Sequence, residues 1–419
     1  MNIRDYMTNV GKQSVKASKE IKSLSTIDKN NLLLSIAESI RDEKDKIISA
    51  NQEDINLAKK NNTSKVMINR LMLDNERIEN IAKSVEDIVK LSDPVGRVLY
   101  ETKRPNGLII NRVSVPLGVI GIIYESRPNV TVDASVLCIK AGNVAILRGG
   151  SESFNSNTSL IKAIQLALTK NDLNKDTIQL VDTVDRAAVD YMLAEMTDTI
   201  DVIVPRGGKG LVKKVQDMAR VPIIGHLEGI CHIYVNNSAN LETALKIIHN
   251  AKLRRTEICG AAETLLIDQA YAKDNLNKIV TNLHEGGCEI RGDIASQEID
   301  NRILHANEVD WSTEYLDAII AIKLVKNVDE AVEHIAEYGS GHTESIIAED
   351  KEVAEKFLNL VDSAIVMHNT STQFADGGEF GLGAEIGIST GRLHARGPVG
   401  LEGLTTYKYI VKGNGQIRP

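Results

Sequence analysis

The sequence predicts an α/β protein with two lobes, each built on a doubly wound, mostly parallel sheet. Short apolar runs typical of buried strands alternate with stretches of helical periodicity between residues 108 and 219, and a second such series begins near Cys231. A chain of 419 residues is long enough to bury two large hydrophobic cores. We therefore expect the boundary between the lobes near Gly225 to Gly229.

Composition narrows the class of protein. Hydrophobic residues make up 42% of the chain and charged residues 25%, which is typical of a globular protein and not of a disordered one. The formal net charge of -8 argues against nucleic acid as the main partner. The N-terminus lacks the apolar core of a signal peptide, and no apolar run is long enough to span a membrane. The four cysteines show no metal-ligand spacing, so we expect no metal and a reduced, cytoplasmic compartment.

Helices are expected for residues 1 to about 100. Ser25 or Thr26 is suited to cap a helix whose apolar residues between 32 and 40 lie on one face. A second amphipathic pattern runs from Ile78 to Val89. These apolar stripes indicate core packing, and we assign no chemistry to them.

The rest of the chain supplies the sheets. The run at 119–124 is apolar throughout, as in a strand that is buried on both faces. The predicted strands are 108–115, 119–124, 144–147, 178–181, 200–204, 262–267, 318–325, 345–348 and 364–368, and the helices predicted between them include 159–168, 187–195, 210–219 and 241–255.

Cys259 is the strongest candidate for a nucleophile. It lies on the turn between the predicted helix at 241–255 and the strand at 262–267, and Gly260 leaves space beside the thiol for a substrate carbonyl. The neighbouring pair Arg254–Arg255 favours the reactive thiolate, although the negative end of the helix does not. The residues alone leave a second interpretation open, in which Cys259 is a small buried hydrophobic residue.

Two glycine-rich loops that follow predicted strands are candidates for binding phosphate. In one, backbone amides and two cations stand at the positive end of a helix, and the other offers an arginine, a hydroxyl and backbone amides. Neither is a GxGxxG motif, so a purely structural role stays open. The candidates are Arg206, Gly207, Gly208 and Lys209 in the first loop (the 206–209 loop) and Arg148 and Ser151 in the second (the 148–151 loop).

Several long motifs occur in the order found in a known family. The segments are Val115–Gly121, Tyr124–Thr131, Val204–Gly208, Arg254–Leu266 and Ala395–Lys408. Together they resemble the gamma-glutamyl phosphate reductase family, a branch of the aldehyde dehydrogenase superfamily, and the similarity runs from about Asp28 to the C-terminus. The resemblance implies an aldehyde-dehydrogenase-like fold with two doubly wound α/β lobes and a small β oligomerisation element. The implied domains are a nucleotide-binding domain at 1–102 and 118–228, a catalytic domain at 229–394, and an oligomerisation element at 103–117 and 395–419.

The resemblance also implies an activity. The family reduces L-glutamyl 5-phosphate to L-glutamate 5-semialdehyde with NADPH, releases phosphate and passes through a cysteine thioester, as the second step of proline biosynthesis. By resemblance, Cys259 is the nucleophile, the Asn129 amide binds the oxyanion and Glu314 binds the nicotinamide ribose. From the residues alone, a turn role for Asn129 after Pro128 is slightly favoured over a catalytic one. The implied partners are a small acyl phosphate, functional coupling to glutamate 5-kinase, and further copies of the chain in a homo-oligomer.

The two loops are implied to flank the adenosine half of the cofactor. Two basic loops, with no obvious acidic ribose partner after the first of them, favour NADPH over NADH. Arg127, Arg255 and Arg392 are candidate partners for the anionic substrate, and the sequence does not rank them.

The sequence departs from oxidising aldehyde dehydrogenases at one position. Their catalytic glutamate, which activates water, lies in a Glu-Leu-Gly-Gly stretch, whereas the matching segment here is Gly225–Cys231, in which Glu228 is out of register. A missing base favours reductive chemistry with phosphate as the exchanged group. The alternatives are an NAD(P)-dependent aldehyde dehydrogenase of another substrate and a non-catalytic nucleotide-binding scaffold. We expect structural roles for His226, His232 and His368, which flank strand ends.

Overall fold

The computed structural model describes residues 2–418 and divides into two compact units. The first contains the chain up to Gly225, the segment Gly381–Gly387 and the chain from Val399 onward. The second contains His226–Phe380 and Ile388–Pro398. Among the described residues, no helix is both long and apolar enough to cross a membrane.

Helices dominate the first hundred residues and then alternate with strands. In the described part of the chain, the α-helices are α1 (Ile3–Ile21), α2 (Thr26–Asp42), α3 (Lys44–Lys60), α4 (Lys65–Leu71), α5 (Asn75–Lys90), α6 (Asn129–Lys140), α7 (Phe154–Lys170), α8 (Arg186–Ala194), α9 (Lys209–Met218), α10 (Leu241–Leu253), α11 (Gln269–Glu285), α12 (Ile294–Ile299), α13 (Val328–Tyr338) and α14 (Lys351–Leu360).

The strands begin after the helical N-terminal region. Within residues 2–418 they are β1 (Val98–Lys103), β2 (Ile109–Pro116), β3 (Val119–Tyr124), β4 (Val144–Arg148), β5 (Ile178–Leu180), β6 (Val202–Arg206), β7 (Cys231–Val235), β8 (Ala262–Asp268), β9 (Glu289–Gly292), β10 (Leu304–His305), β11 (Ile319–Val325), β12 (Thr343–Ile347), β13 (Ile365–His368), β14 (Ile388–Ser389), β15 (Gly397–Pro398) and β16 (Thr405–Lys412).

Helix α2 shows how the N-terminal helices form. Ser25 caps α2, and its side chain and that of Asp28 bond reciprocally to backbone amides in a capping box. The residues predicted to form its apolar face, from Leu32 to Ile40, include buried Leu32, Leu33, Ile36, Ala37 and Ile40. The predicted cap and apolar face are therefore confirmed for α2. The predicted apolar face is also confirmed for α5, through buried Ile78, Ile81, Ala82, Val85 and Ile88.

The first unit holds a parallel sheet with the strand order β5-β4-β3-β6. All six residues of β3 are buried, as predicted for a strand covered on both faces. Ile123 pairs with Arg148 of β4, and Tyr124 pairs with Arg206 of β6. The carboxyl ends of these strands therefore meet at one edge, which brings the 148–151 and 206–209 loops to the same side of the sheet.

The second unit holds a larger sheet, in which the described strands run parallel in the order β10-β9-β11-β8-β7-β12-β13. Strands β9 and β10 were not predicted, because four and two residues are too few to establish a period. Helices α10 and α11 pack in one hydrophobic core with β8, and α13 and α14 pack in another. This sheet supports the turn that carries Cys259.

A third, antiparallel sheet has the order β1-β2-β16 and belongs to the first unit. Two of its strands, Ile109–Pro116 and Thr405–Lys412, lie within the segments predicted to form the oligomerisation element. The third strand, β1, was not predicted from the sequence. The geometric units differ from the predicted domains near the C-terminus. Segment 381–387 joins the first unit because Gly383 packs against Leu91, and 388–398 joins the second, where Arg396 pairs with Asp362.

Candidate active site

Cys259 lies on the turn between α10 and β8, as predicted. The backbone amide of Ala261 donates to the carbonyl of Ile258 across the turn, at 3.0 Å. The end of α10 is held by Gln373, whose side-chain amide donates to the carbonyls of Ala251 and Arg255 at 2.9 and 3.1 Å. These bonds satisfy carbonyls that a helix end leaves without intrahelical partners, and they fix the approach of the chain to Cys259.

Solvent access separates Cys259 from the other cysteines. Cys138, Cys231 and Cys288 are buried, whereas Cys259 is only partly buried. Burial raises the pKa of the Cys138 and Cys231 thiols well above the usual value, and it raises the pKa of Cys288 to about 12. The three buried thiols are thus poor sources of thiolate, and Cys259 is the cysteine that solvent reaches in part.

The backbone of Gly229 lies directly against Cys259. A Cβ atom built on Gly229 would lie 2.2 Å from the carbonyl oxygen of Cys259 and 2.7 Å from its Cα. The thiol of Cys231 donates to the same carbonyl at 3.1 Å. The segment that leads into β7 therefore packs against the turn that carries Cys259 and fixes its position. Only glycine fits at position 229.

Glu314 is bonded to this segment. Its carboxylate Oε1 accepts the backbone N–H of Gly229 at 2.8 Å. The residue expected to bind the nicotinamide ribose therefore lies one hydrogen bond from the glycine that contacts Cys259. No sequence pattern indicated this link between 229 and 314.

A buried ion pair supports the Glu314 loop from below. Lys252 and Glu263 form a salt bridge with side chains 0% and 1% exposed, and Glu263 Oε1 accepts the backbone N–H of Leu316 at 3.4 Å. Burial raises the pKa of the Glu263 carboxyl, while Lys252 acts in the opposite direction. Such a pair costs desolvation free energy, and its value here lies in fixing the loop position.

Two imidazoles approach Cys259 within the second unit. One ligand atom from each of His226, His342 and Cys259 lies within 4.8 Å of the others, and the two rings meet edge to face with centroids 4.8 Å apart. His226 was predicted to be structural, and His342 was not singled out. His342 is fully buried, and burial lowers its pKa to about 3, so it is a neutral imidazole. By contrast, His232 bonds to Glu344 and His368 bonds to the carbonyl of Ala348.

A cavity of about 440 Å³ lies behind the nucleophile turn and is lined by Lys246, Asn250, Arg254, Ser371 and Gln373, among others. Arg254 donates to Gln373 at 3.3 Å. The lining includes the cations of Lys246 and Arg254, which suit an anionic group, and also the carboxylate of Glu379. Of the three arginines suggested for the substrate, Arg392 is paired with Asp362 and Arg255 lies 3.8 Å from Glu257.

Asn129 begins α6 in the first unit. Its side-chain amide donates to Asp133 Oδ2 at 2.9 Å, and the hydroxyl of Ser84 donates to the other carboxylate oxygen of Asp133 at 3.2 Å. Burial raises the pKa of Asp133. An amide carries two N–H groups, so this bond orients Asn129 and commits one of them.

In the 148–151 loop, Arg148 makes structural contacts. Its two terminal nitrogens donate to the carbonyls of Gly149 and Val184 at 2.7 and 3.0 Å, and its exposed fraction is 9%. Ser151 begins a short 3-10 helix. The next residue, Glu152, accepts from the backbone N–H and hydroxyl of Ser126, both at 2.7 Å. The carboxylate of Glu152 comes directly after Ser151 in the 148–151 loop, and no sequence pattern singled it out.

The 206–209 loop carries a second carboxylate. Glu125 Oε2 accepts the backbone N–H of Gly208 at 2.9 Å, at the start of α9. A Cβ atom on Gly207 would lie 2.5 Å from the same oxygen and 2.8 Å from a methyl of Leu211, so a larger residue would have to displace these two side chains. The N-terminus of α9 therefore binds an acceptor oxygen, and in this structure that acceptor is the carboxylate oxygen of Glu125.

Fold and site together define a protein of the aldehyde dehydrogenase class, with parallel α/β units and a cysteine on a helix-to-strand turn. The model of the aldehyde dehydrogenase family matches residues 5–288. The chain is 55% identical to a gamma-glutamyl phosphate reductase of Paramagnetospirillum magneticum over 99% of its length and 97% of that protein. It is 54% identical to one of Methylocella silvestris over 100% of its length and 97% of that protein.

Solved structures agree with these relatives. The crystal structure of gamma-glutamyl phosphate reductase from Thermotoga maritima has a TM-score of 0.97 at 44% identity, and the match covers 99% of this chain and 100% of that one. An acetylating aldehyde dehydrogenase from Geobacillus thermoglucosidasius, with a TM-score of 0.67 at 18% identity and coverage of 100% and 98%, shows the fold alone. The chain belongs to the gamma-glutamyl phosphate reductase branch of the aldehyde dehydrogenase family and is an oxidoreductase, and the predicted fold class is confirmed.

Proposed function

We propose that the chain reduces L-glutamyl 5-phosphate to L-glutamate 5-semialdehyde with NADPH and releases phosphate, the second step of proline biosynthesis. The observation that carries the proposal is the partly exposed thiol of Cys259, clamped by Gly229, in a chain 55% identical to a gamma-glutamyl phosphate reductase. Membership of the aldehyde dehydrogenase family implies a nicotinamide cofactor, which would serve as the hydride donor.

Cys259 is the nucleophile in this proposal. The thiol first loses its proton to solvent, and the resulting thiolate attacks the acyl carbon. The carbon–sulfur bond forms and the carbon–oxygen bond to phosphate breaks, so phosphate leaves with the electron pair. After hydride reaches the resulting thioester carbon, the carbon–sulfur bond breaks and the aldehyde leaves. The thiolate is then restored without a separate general acid.

Asn129 is proposed as the oxyanion donor. Its amide is oriented by Asp133, so one N–H is held and the other keeps a fixed direction. A preorganised donor of this kind stabilises a transition state by about 3 kcal/mol. Asp133 is then a positioning residue, which the sequence did not indicate.

The cofactor assignments remain those of the resemblance. Arg148, Ser151 and the residues Arg206, Gly207, Gly208 and Lys209 receive the adenosine half, and Glu314 receives the nicotinamide ribose. The shared edge of the first sheet and the glycines at the start of α9 support a dinucleotide there. The 2′-phosphate requires Arg148 to exchange its bonds to Gly149 and Val184, so NADPH preference rests on this rearrangement or on the 206–209 loop.

The proposal extends to partners. A labile acyl phosphate favours functional coupling to glutamate 5-kinase, and a reduced cytoplasmic setting fits the buried thiols Cys138, Cys231 and Cys288. The cations and amides around the cavity behind the nucleophile turn support a substrate with an anionic end distant from its acyl carbon.

The test is an assay in the reverse direction, with glutamate 5-semialdehyde and NADP+ in the presence and absence of inorganic phosphate. The proposed reaction cannot proceed without phosphate, because phosphate must cleave the thioester. An NAD(P)-dependent aldehyde dehydrogenase of another substrate would turn over without it, and a scaffold would not turn over at all. Phosphate-independent NADPH formation would overturn the proposal.

A further inference from the structure

The second unit places a cysteine and two histidines where a metal ion needs its ligands. One ligand atom each of Cys259, His226 and His342 lies within 4.8 Å of the other two. In a tetrahedral zinc site with one sulfur and two nitrogen ligands, bond lengths of about 2.0 to 2.3 Å place the donor atoms about 3.4 to 3.6 Å apart. Side-chain rotations that move the donor atoms by about 1 Å close this difference.

A hydrogen bond at one ring nitrogen of His226 shows which of its two nitrogens carries the proton. The Nδ1 atom of His226 lies 2.8 Å from the carbonyl oxygen of Ile388, which only accepts, so Nδ1 carries the proton and the lone pair is on Nε2. A histidine that donates one ring N–H to a backbone carbonyl while the other nitrogen binds is the usual arrangement at metal sites.

His342 offers a buried nitrogen to the same cluster. Its Nδ1 lies 2.9 Å from the hydroxyl of Thr343 and 3.6 Å from the sulfur of Cys231, and its Nε2 is fully buried without a hydrogen-bond partner in residues 2–418. Burying a polar nitrogen without a partner costs free energy, which a ligand at Nε2 would recover. An unpartnered buried nitrogen on a residue of the cluster is an observation independent of the distances among the three side chains.

We propose that Cys259, His226 and His342 bind a divalent transition metal of the Zn²⁺ type, and that the bound metal blocks the thiol. One thiolate and two neutral imidazoles form a ligand set that suits Zn²⁺ or Co²⁺ and not Mg²⁺ or Ca²⁺. On binding, the sulfur–hydrogen bond breaks, a sulfur–metal bond forms and the proton passes to solvent. The sulfur lone pair is then committed to the metal, so it cannot attack an acyl carbon.

Cobalt supplies a direct probe of this site. Chelator-treated, reduced protein is titrated with Co²⁺, and the thiolate-to-cobalt charge-transfer band is followed in the near ultraviolet. We expect a band that saturates at one equivalent. It should be absent in Cys259→Ala, and each of His226→Asn and His342→Asn should weaken Co²⁺ binding at least about tenfold.

Matched controls keep the experiment decisive. Cys288→Ala removes a buried thiol outside the cluster, and His305→Asn removes an exposed imidazole, so both should keep the band and the affinity. His342 is fully buried, so its variant is checked by thermal unfolding, and His226→Asn decides the outcome if His342→Asn does not fold. A band that survives in Cys259→Ala, or an affinity unchanged in His226→Asn, would overturn the site.

The inhibitory half rests on the proposed function and is tested separately. Zn²⁺ should inhibit the parent reductase, EDTA should restore it, and His226→Asn should need at least about tenfold more Zn²⁺ for the same fractional inhibition. Zn²⁺ that binds but leaves turnover unchanged would overturn the blockade. If the cobalt band forms in a protein without reductase activity, the proposed function has failed and the metal site stands.

Discussion

At the scale of single residues, accessibility distinguishes the cysteine assigned to chemistry. Cys138, Cys231 and Cys288 are buried and carry raised pKa values, while Cys259 is only partly buried and lies on a turn beside Gly260 and Ala261. A nucleophile requires both thiolate character and space for the acyl group. Substitutions of Cys259 and of the side chains assigned to the cofactor test these roles.

Replacing Cys259 with alanine should abolish turnover and leave the Kd for NADPH nearly unchanged, since the thiol forms the covalent intermediate and does not bind the adenosine half. Steady-state rates and fluorescence titration of NADPH measure the two effects. Cys138→Ala and Cys288→Ala serve as controls and should lose stability only. Turnover of Cys259→Ala within tenfold of the parent would refute its assignment as nucleophile.

The 148–151 loop and the 206–209 loop are competing candidates for binding the 2′-phosphate of NADPH. If Arg148 and Ser151 bind the 2′-phosphate, the double variant Arg148→Ala/Ser151→Ala should raise the KM for NADPH about 10- to 100-fold more than that for NADH, because charge-assisted hydrogen bonds are worth about 1.5 to 3 kcal/mol each. Arg206→Ala tests the competing loop in the same assay.

The outcomes of this series are distinct. Since Arg148 is bonded to two carbonyls, its loss should also lower the Tm, which is measured in parallel. Discrimination by Arg206→Ala alone would move the phosphate to the 206–209 loop. If no variant discriminates, the preference for NADPH inferred from basic residues is wrong.

At the scale of elements, the lead-in to β7 and the turn after α10 form one tightly packed unit. Gly229 contacts the backbone of Cys259 and donates to Glu314, so one residue links the nucleophile to the glutamate assigned to the ribose. Gln373 fixes the other side of the turn by bonding to the end of α10. The thiol position therefore depends on three segments that are far apart in the chain.

Substituting Gly229 with alanine should displace the Cys259 turn, because the new Cβ would lie 2.2 Å from a backbone oxygen. Misplacement of a reacting group by about 1 Å can cost about 100-fold, so we expect kcat to fall by that factor. Gly391→Ala, where the nearest atom would lie 3.7 Å away, is the matched control and should retain kcat. Equal kcat values for the two variants would contradict this role of Gly229.

At the scale of the whole molecule, the antiparallel sheet β1-β2-β16 carries apolar side chains that the described chain does not cover. Tyr407, Tyr409 and Val411 alternate along β16, so they share one face, and each is exposed. Exposed edge strands with apolar residues need a partner in solution. We propose that this sheet forms the homo-oligomer interface.

The double variant Tyr409→Lys/Val411→Lys should shift the protein to a smaller assembly, since it places charge on the apolar face of β16. Light scattering after size exclusion gives the mass. Lys408→Glu, on the opposite face of the same strand, is the control and should keep the parent mass. A parent protein that is already monomeric, or an unchanged mass in the double variant, would exclude this interface.

The sequence by itself determined the local structure and much of the chemistry. Apolar periodicity and capping residues define α2, α5 and β3, because these signals depend on neighbours within a few residues. The long motifs identified the family, and together with the small residues around Cys259 they predicted the nucleophile. Short strands such as β9 and β10 escaped prediction because two to four residues carry too little periodicity.

Only the tertiary structure decided which distant residues meet. The contact of Gly229 with Cys259, the bond of Glu314 to Gly229, and the cluster of Cys259 with His226 and His342 depend on strand order and loop packing. Glu125 and Glu152 occupy the amide-rich loops for the same reason: a hydrogen-bond partner is selected by position in space. A single sequence records the side chains but not the through-space distances, which the packing of the two sheets with their helices sets.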